Sequence, residues 1–293
     1  MDPLNFREEK MTEKKALVTG ASSGIGRETA IGLAKKGYQV IVAARRLDRL
    51  QELAEQVQGI VPVQVDLSVP QKVEDFCGYL LDQKDPVSVL INNAGYSVRG
   101  ALEDVSMESI RRLFEVNVFS LIRVTQSCLP GMRKLRTGTI VNLSSMVGKF
   151  VFPMSGVYAS TKHAVEAISD ALRIELRPFG INVVTIRPGV IATEFNEVGN
   201  QMTGDLMART DPDYRPIYEA AGAGAGKMFA GVTLPGPELI ADTIVEAVLS
   251  DSPKAVYSAG PMSDEFLGKR FSLDDDAFDR FLTDKVELTG LKV

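Results

Sequence analysis

Tyr158 and Lys162 stand four residues apart in Tyr158-Ala159-Ser160-Thr161-Lys162, with Ser145 thirteen residues upstream. If the segment is helical, positions i and i+4 share a face. A phenol beside an ammonium group has its anion favoured, so the spacing predicts a tyrosine pKa below the free value of about 10. Such a tyrosine can act as general acid or base without a metal or a catalytic histidine. A tyrosine and lysine at this spacing are not specific by themselves, and their weight depends on the elements that would position them.

Lys15-Ala16-Leu17-Val18-Thr19 reads as a buried strand running into Gly20-Ala21-Ser22-Ser23-Gly24-Ile25-Gly26, and Arg27 to Lys36 reads as a helix stopped by Gly37. Strand, glycine turn and helix form the context of a dinucleotide site. There the backbone approaches a pyrophosphate closely and the helix N-terminus faces it. A second strand, Gln39 to Ala44, ends in Arg45-Arg46, where an NAD site usually has an acid. Two guanidiniums suit a 2′-phosphate. The expected cofactor is therefore NADP(H), with NAD(H) as the alternative if the arginines form a solvated loop. Val61 to Leu67 reads as a third strand. Its Asp66 either bonds an adenine amino group or caps the helix beginning near Ser68 to Pro70.

Further strands fit Val87 to Ile91, Gly138 to Leu143, Asn182 to Ile186 and Lys254 to Ser258. Alternating strand and helix patterns predict an α/β fold, a Rossmann-like doubly wound seven-stranded parallel sheet with helices on both faces. Of the 293 residues, 45% are hydrophobic and 24% charged, which suits one large domain over residues 12–293, preceded by a polar arm at 1–11.

In order along the chain, Thr19 to Gly26, Asn92-Asn93-Ala94-Gly95, Val116-Asn117-Val118, Ser145, Tyr158, Lys162, Arg187-Pro188-Gly189 and Thr193 resemble the short-chain dehydrogenase/reductase family, in its single-domain branch. The likeness spans about Lys14 to Thr193. The glycine spacing differs from that of the longer branch containing the sugar-nucleotide epimerases. The resemblance implies hydride transfer between a nicotinamide and a carbonyl or alcohol. It implies Tyr158 as proton donor and acceptor, Lys162 on the nicotinamide ribose, Ser145 on the substrate oxygen and Asn117 on a relay water. It also implies cofactor contacts at Gly20, Ser22, Ser23, Gly24, Ile25, Gly26, Arg45, Arg46, Asp66, Leu67, Asn93, Ala94, Gly95, Pro188, Gly189 and Thr193. Thr193 either meets the carboxamide or caps a helix. Ser145 rather than its neighbour Ser144 has the family spacing to tyrosine. The Asn92-Asn93-Ala94 turn serves the central sheet as well as the cleft.

Residues 194–236 read as a lid. The run Ala220 to Gly226 suggests mobility, and Phe195, Met202, Met207, Tyr214, Tyr218, Met228 and Phe229 suggest a lipophilic substrate or simply anchor the lid. Residues 261–293 read as a C-terminal helical extension, with one or two amphipathic helices over Phe266 to Val286. Val147 to Met154 and Tyr96 to Val98 are further candidate pocket walls.

The net charge of −5, from 33 Lys+Arg and 38 Asp+Glu, predicts no nucleic-acid partner. No apolar run reaches membrane-spanning length and no signal peptide is visible. Two isolated cysteines, Cys77 and Cys128, fit a reducing, cytoplasmic setting. His163 has no histidine neighbour, and no metal site is expected. The expectation is an NADP(H)-dependent carbonyl reductase or alcohol dehydrogenase acting on a lipophilic small molecule, as a homodimer through the helix of about Ser106 to Leu135 and the one starting near Tyr158. The alternatives are a β-ketoacyl-carrier reductase, docking through Arg99, Arg111 and Arg112, and a non-catalytic cofactor sensor.

Overall fold

In the computed structural model, residues 14–195, 206 and 210–292 are described. The N-terminal arm of 1–11, and Met202 and Met207 of the expected lid, lie outside them.

Seven parallel strands pair in the order β3-β2-β1-β4-β5-β6-β7. They are β1 Lys15–Thr19, β2 Gln39–Ala44, β3 Ile60–Gln64, β4 Val89–Asn92, β5 Gly138–Leu143, β6 Ile181–Pro188 and β7 Val256–Ala259. Side chains alternate between two buried layers. Ala16, Val18, Val40, Val42, Ile91, Val141 and Val184 face one core, covered by α1 Gly24–Lys35, α2 Leu47–Gln56 and α8 Glu238–Leu249. Leu17, Ile41, Leu90, Ile140 and Val183 face the other, covered by α3 Pro70–Leu81, α5 Ser120–Leu135 and the end of α6 Gly156–Leu176.

The strand order reverses between β1 and β4, so ligands belong in the crevice beyond the carboxyl ends of these strands. Gly20 to Gly26 follow β1, Asn93 to Gly95 follow β4, Ser144 and Ser145 follow β5, and Pro188 and Gly189 close β6.

Two local expectations are corrected. The strand expected to reach Leu67 ends at Gln64, because Asp66 Oδ1 accepts from the Ser68 backbone N–H (2.9 Å) and hydroxyl (2.7 Å) and turns the chain. Asp66 therefore makes a local turn; the residue at the N-cap of α3 is Val69. The helix expected over Ser106 to Leu135 divides into α4 Met107–Phe114, a wide π-helical turn Glu115–Phe119 and α5. The run Ala220 to Gly226 lies inside a helix, α7 Arg215–Phe229. A Cβ at Gly224 would fall 2.6 Å from Val286 Cα, so that small residue permits close packing of α7 on the C-terminal chain.

The C-terminal extension forms α9 Ser263–Ser272 and α10 Asp275–Lys285. Buried Phe266 stacks on Phe150 at 5.5 Å, and Phe278 meets the same ring edge-on at 5.6 Å. The extension thus packs on the segment joining Ser145 to Tyr158. Tyr218 of α7 donates to Asp104 Oδ2 (2.8 Å) and accepts from Ala101 N–H (2.8 Å), so it anchors α7 to the segment after β4.

Candidate active site

The glycine turn is shaped by contacts that exclude side chains. Gly20 has φ +69°, and a Cβ there would lie 2.8 Å from Ala94 Cα. A Cβ at Gly26 would lie 2.4 Å from Asn93 Nδ2 and 2.6 Å from Gly20 O. Asn93 Nδ2 donates to the carbonyls of Thr19 (2.9 Å) and Gly20 (3.2 Å), while the Asn93 and Ala94 N–H groups both reach Thr19 Oγ1 at 3.1 Å. Asn92 Nδ2 instead ties β4 to Asn142 Oδ1 of β5 (2.8 Å) and to Thr125. The paired asparagines thus divide their work between cleft and sheet.

Ser23 is the N-cap of α1 but makes no side-chain capping bond. Its hydroxyl accepts from Arg46 Nη2 at 2.8 Å, and Ser22 Oγ accepts from the same atom at 3.0 Å. With no side-chain cap from Ser23, the first-turn N–H groups of α1 are of the kind an anion site uses. Arg46 Nη1 also pairs with Glu194 Oε2 at 2.8 Å, and Arg49 Nη1 with Glu194 Oε1 at 2.6 Å. This places Arg46 against the glycine turn, whereas Arg45 is exposed and its carbonyl accepts from Gln64 Nε2. Thr193 approaches Gly24, whose Cβ would sit 3.4 Å from Thr193 Cγ2. Ile25 packs against one sheet core, and Leu67 is buried in the other. Gly189 donates to Ala259 O at 2.8 Å, and a Cβ there would lie 2.1 Å from Pro261 O, so Pro188 and Gly189 are fixed by the β7 turn.

Asn117 sits in the π turn and is nearly fully buried. Its Nδ2 donates to Tyr96 O (3.0 Å) and Thr161 Oγ1 (3.1 Å), and its Oδ1 accepts from Tyr96 N–H (3.2 Å). A Cβ at Gly95 would lie 3.2 Å from Asn117 Oδ1 and 3.7 Å from Lys162 Nζ, so these three residues meet. Tyr158 and Lys162 lie on α6, with Lys162 Nζ 5.9 Å from the Tyr158 ring centre. The Ser145 hydroxyl is placed to pull the Tyr158 pKa down, and the Ser144 hydroxyl to do the same for Glu166. Adjacent extended residues facing opposite ways account for that split. Phe195 covers Tyr158 edge-on at 5.7 Å.

Ionisation differs from the sequence expectation. Burial pushes the Tyr158 phenol up to about 12, against the Ser145 hydroxyl and the Arg99 charge, which pull it down. Lys162 does not reverse this. Its Nζ donates to Leu143 O at 2.7 Å, and burial lowers its own pKa to about 8 against the favourable charge of Glu166. Burial of the Tyr158 hydroxyl thus works against its ionisation, and the Ser145 hydroxyl and Arg99 work for it.

A cavity of about 430 Å³ lies between Gly100, Phe152, Met154 and Val157 on one side and Leu282 and Leu288 on the other. Neither Tyr158 nor Ser145 lines it.

A crevice with a glycine turn, a helix N-terminus and a serine–tyrosine–lysine group defines a dinucleotide-dependent oxidoreductase site. The short chain dehydrogenase family model matches residues 14–204. The chain is 34% identical over 249 residues to the uncharacterised oxidoreductase YbbO of Escherichia coli, spanning 85% of this chain and 86% of that protein. A short-chain dehydrogenase from Streptomyces avermitilis superposes with a TM-score of 0.76 at 29% identity, over 96% of this chain and 99% of that one. The closed form of a serine dehydrogenase complexed with NADP+ gives 0.71 at 25% identity, over 85% and 95%. The protein belongs to the short-chain dehydrogenase/reductase family and is an oxidoreductase.

Glu194, Arg49 and Glu166 reach the site or its supports without having been expected to act there, whereas Phe195 was already among the apolar residues expected at the site. Each of the first three pairs with a residue remote in sequence, as Glu194 does with Arg46 at a separation of 148 positions, and no local spacing signals such a pair.

Proposed function

We propose that the protein is an NADP(H)-dependent carbonyl reductase or alcohol dehydrogenase acting on a lipophilic ketone, aldehyde or secondary alcohol. The observation that carries this reading is the meeting of Asn117, Ser145, Tyr158 and Lys162 at the β4–β5 end of the sheet. The nicotinamide supplies or accepts the hydride when bound. Gly20 to Gly26 and the start of α1 would hold its pyrophosphate, and Arg46, with Arg45, would read a 2′-phosphate. The NADP+ bound by the similar serine dehydrogenase supports that choice. Asn93 to Gly95, Pro188, Gly189 and Thr193 would surround the nicotinamide end.

Within this site Ser145 and Tyr158 donate hydrogen bonds to the substrate oxygen as negative charge grows on it. Tyr158 then gives up its proton, and Lys162 stabilises the phenolate left behind. A phenol held near 12 remains protonated until an alkoxide, a stronger base, takes the proton. Apolar Met146, Val147, Phe152 and Val190 pack with Tyr158 and support a lipophilic substrate. Arg99 is half-buried beside Tyr158 while Arg111 and Arg112 are exposed on α4, which weakens the case for a shared docking face for an acidic carrier. Met107 and Phe119, exposed along α4 and the π turn, support a homodimer through that surface. Buried, unbridged Cys77 and Cys128 support a cytoplasmic setting. Among the described residues no helix is long and apolar enough to cross a membrane.

The test is a panel of aliphatic, aromatic and steroid ketones and aldehydes, each with NADPH and NADH, followed by loss of nicotinamide absorbance. Turnover of apolar carbonyls with NADPH favoured is expected. Equal use of NADH, or turnover confined to charged substrates, would overturn the reading.

A further inference from the structure

Glu166 is a carboxylate that the chemistry above does not use, yet it is only 2% exposed. Its Oε1 accepts from Arg187 Nε at 2.9 Å and its Oε2 from Arg187 Nη2 at 2.7 Å. Lys149 Nζ lies 3.1 Å from the same Oε2, and the Ser144 hydroxyl and Glu166 Cγ both crowd Gly148. Two stretches of chain, the end of β6 and the segment after β5, converge on it, and each adjoins a site residue. Arg187 precedes Pro188 and Gly189, Ser144 precedes Ser145, and Lys149 closes the short turn that Ser145 opens. Glu166 itself stands one helical turn from Lys162. The cluster is tight: a Cβ at Gly148 would lie 2.5 Å from Ser144 Oγ, 3.0 Å from Glu166 Cγ and 3.2 Å from Lys162 O.

Charge gives this cluster a direction. Arg187 on β6 and Lys149 after β5 bring two cations onto Glu166, one helical turn from Lys162. From its own helix Lys162 faces Glu166 and Tyr158, with Arg99 beyond that ring. Its remaining neighbours, Leu143 O and Asn117, are uncharged. Remove the Glu166 charge, and Lys162 would confront unneutralised cations in a poorly solvated site, where like charges disfavour protonation.

We propose that Glu166 is a positioning residue for the Tyr158–Lys162 pair: its buried carboxylate offsets Arg187 and Lys149 so that Lys162 keeps its charge, and its grip on Lys149 fixes the short turn that Ser145 opens. The inference rests on the reading of Tyr158 and Lys162 as the proton-transfer pair. Burial alone draws Lys162 down, and the Glu166 charge works against that loss. The carboxylate is held ionised in turn: burial opposes its charge, but the bonds from Arg187, the Ser144 hydroxyl and the charges of Arg187 and Lys149 prevail.

The experiment follows lysine side-chain carbon resonances of the cofactor-free protein against pH, with the Lys162 signal identified by its loss in Lys162→Met. Glu166→Gln is expected to lower the Lys162 midpoint by about half a pH unit or more, and Lys149→Gln to raise it by a similar amount, because the remaining carboxylate is then less neutralised. Midpoints that stay put, or move the same way in both variants, would reduce Glu166 to a scaffold group whose loss lowers only the melting temperature. Should Glu166→Gln fail to fold, Lys149, a quarter exposed at its side chain, decides: an upward shift supports the proposal and no shift overturns it. The readout needs no turnover, so it can fail while Tyr158→Phe is still inactive. Conversely, a fully active Tyr158→Phe would sink the proposed chemistry whatever the lysine does.

Discussion

Arg46→Ala isolates the group expected to distinguish the two nicotinamide cofactors. Its guanidinium is already oriented, with Nη2 on Ser22 and Ser23, Nε on Ser22 Oγ at 3.2 Å and Nη1 on Glu194. Binding a 2′-phosphate therefore orders little that is not ordered beforehand. A hydrogen bond to a charged group contributes about 1.5–3 kcal/mol. The pair with Glu194 leaves Arg46 41% exposed at its side chain, so the low end applies. The variant should bind NADPH roughly 10- to 30-fold more weakly, at about 1.4 kcal/mol per tenfold. NADH, which has no phosphate there, should change by less than about threefold, within what a lost solvent-exposed contact costs. Calorimetric titration of both cofactors measures this, and the NADPH difference should shrink as salt screens the site. Equal weakening of both cofactors would mean that Arg46 only shapes the glycine turn. No weakening of either would remove it from the site.

Ser145→Ala removes one of two donors to the substrate oxygen and should lower kcat about 10²-fold or more; steady-state rates near wild type would exclude that role. Gly26→Ala should destabilise the fold by about 2 kcal/mol, because overpacking against Asn93 and Gly20 O outweighs the gain of about 1 kcal/mol in helix propensity. Gly268→Ala, in α9 with open space around it, should stabilise by about 0.5–1 kcal/mol, and denaturant melts that rank the two variants the other way would contradict the packing. Burial pushes the Cys128 thiol up to about 12 and raises that of Cys77, so neither should react with a thiol reagent at pH 8 until guanidinium unfolds the chain; rapid labelling of the native protein would count against both placements.

The bounds of β1, β2 and β5 were legible because each is an apolar run closed by glycine or charged residues, and the structure has them at Lys15–Thr19, Gln39–Ala44 and Gly138–Leu143. The glycine turn and the Tyr158–Lys162 helix were legible from type and spacing, since their geometry is local, whereas Asn93 and Asn117 were marked only by the family resemblance, because they act on Thr19 and Thr161, far away in sequence. What could not be read depends on tertiary surroundings. The small residues of α7 are flexible in isolation, yet Gly224 is small so that Val286 can approach. The Tyr158 phenol follows its burial rather than its lysine neighbour, and burial is decided by Phe195 and the packed walls. The Glu194 and Glu166 networks join residues on different strands and loops, with no periodicity to reveal them.

The most direct measurement is the single-turnover reduction rate of Tyr158→Phe beside its NADPH affinity, using whichever carbonyl the wild type turns over fastest. Loss of a positioned general acid should cut the rate by about 10²–10⁴-fold, while NADPH affinity changes by less than about threefold. A phenylalanine variant that reduces the same carbonyl at the wild-type rate would contradict the account.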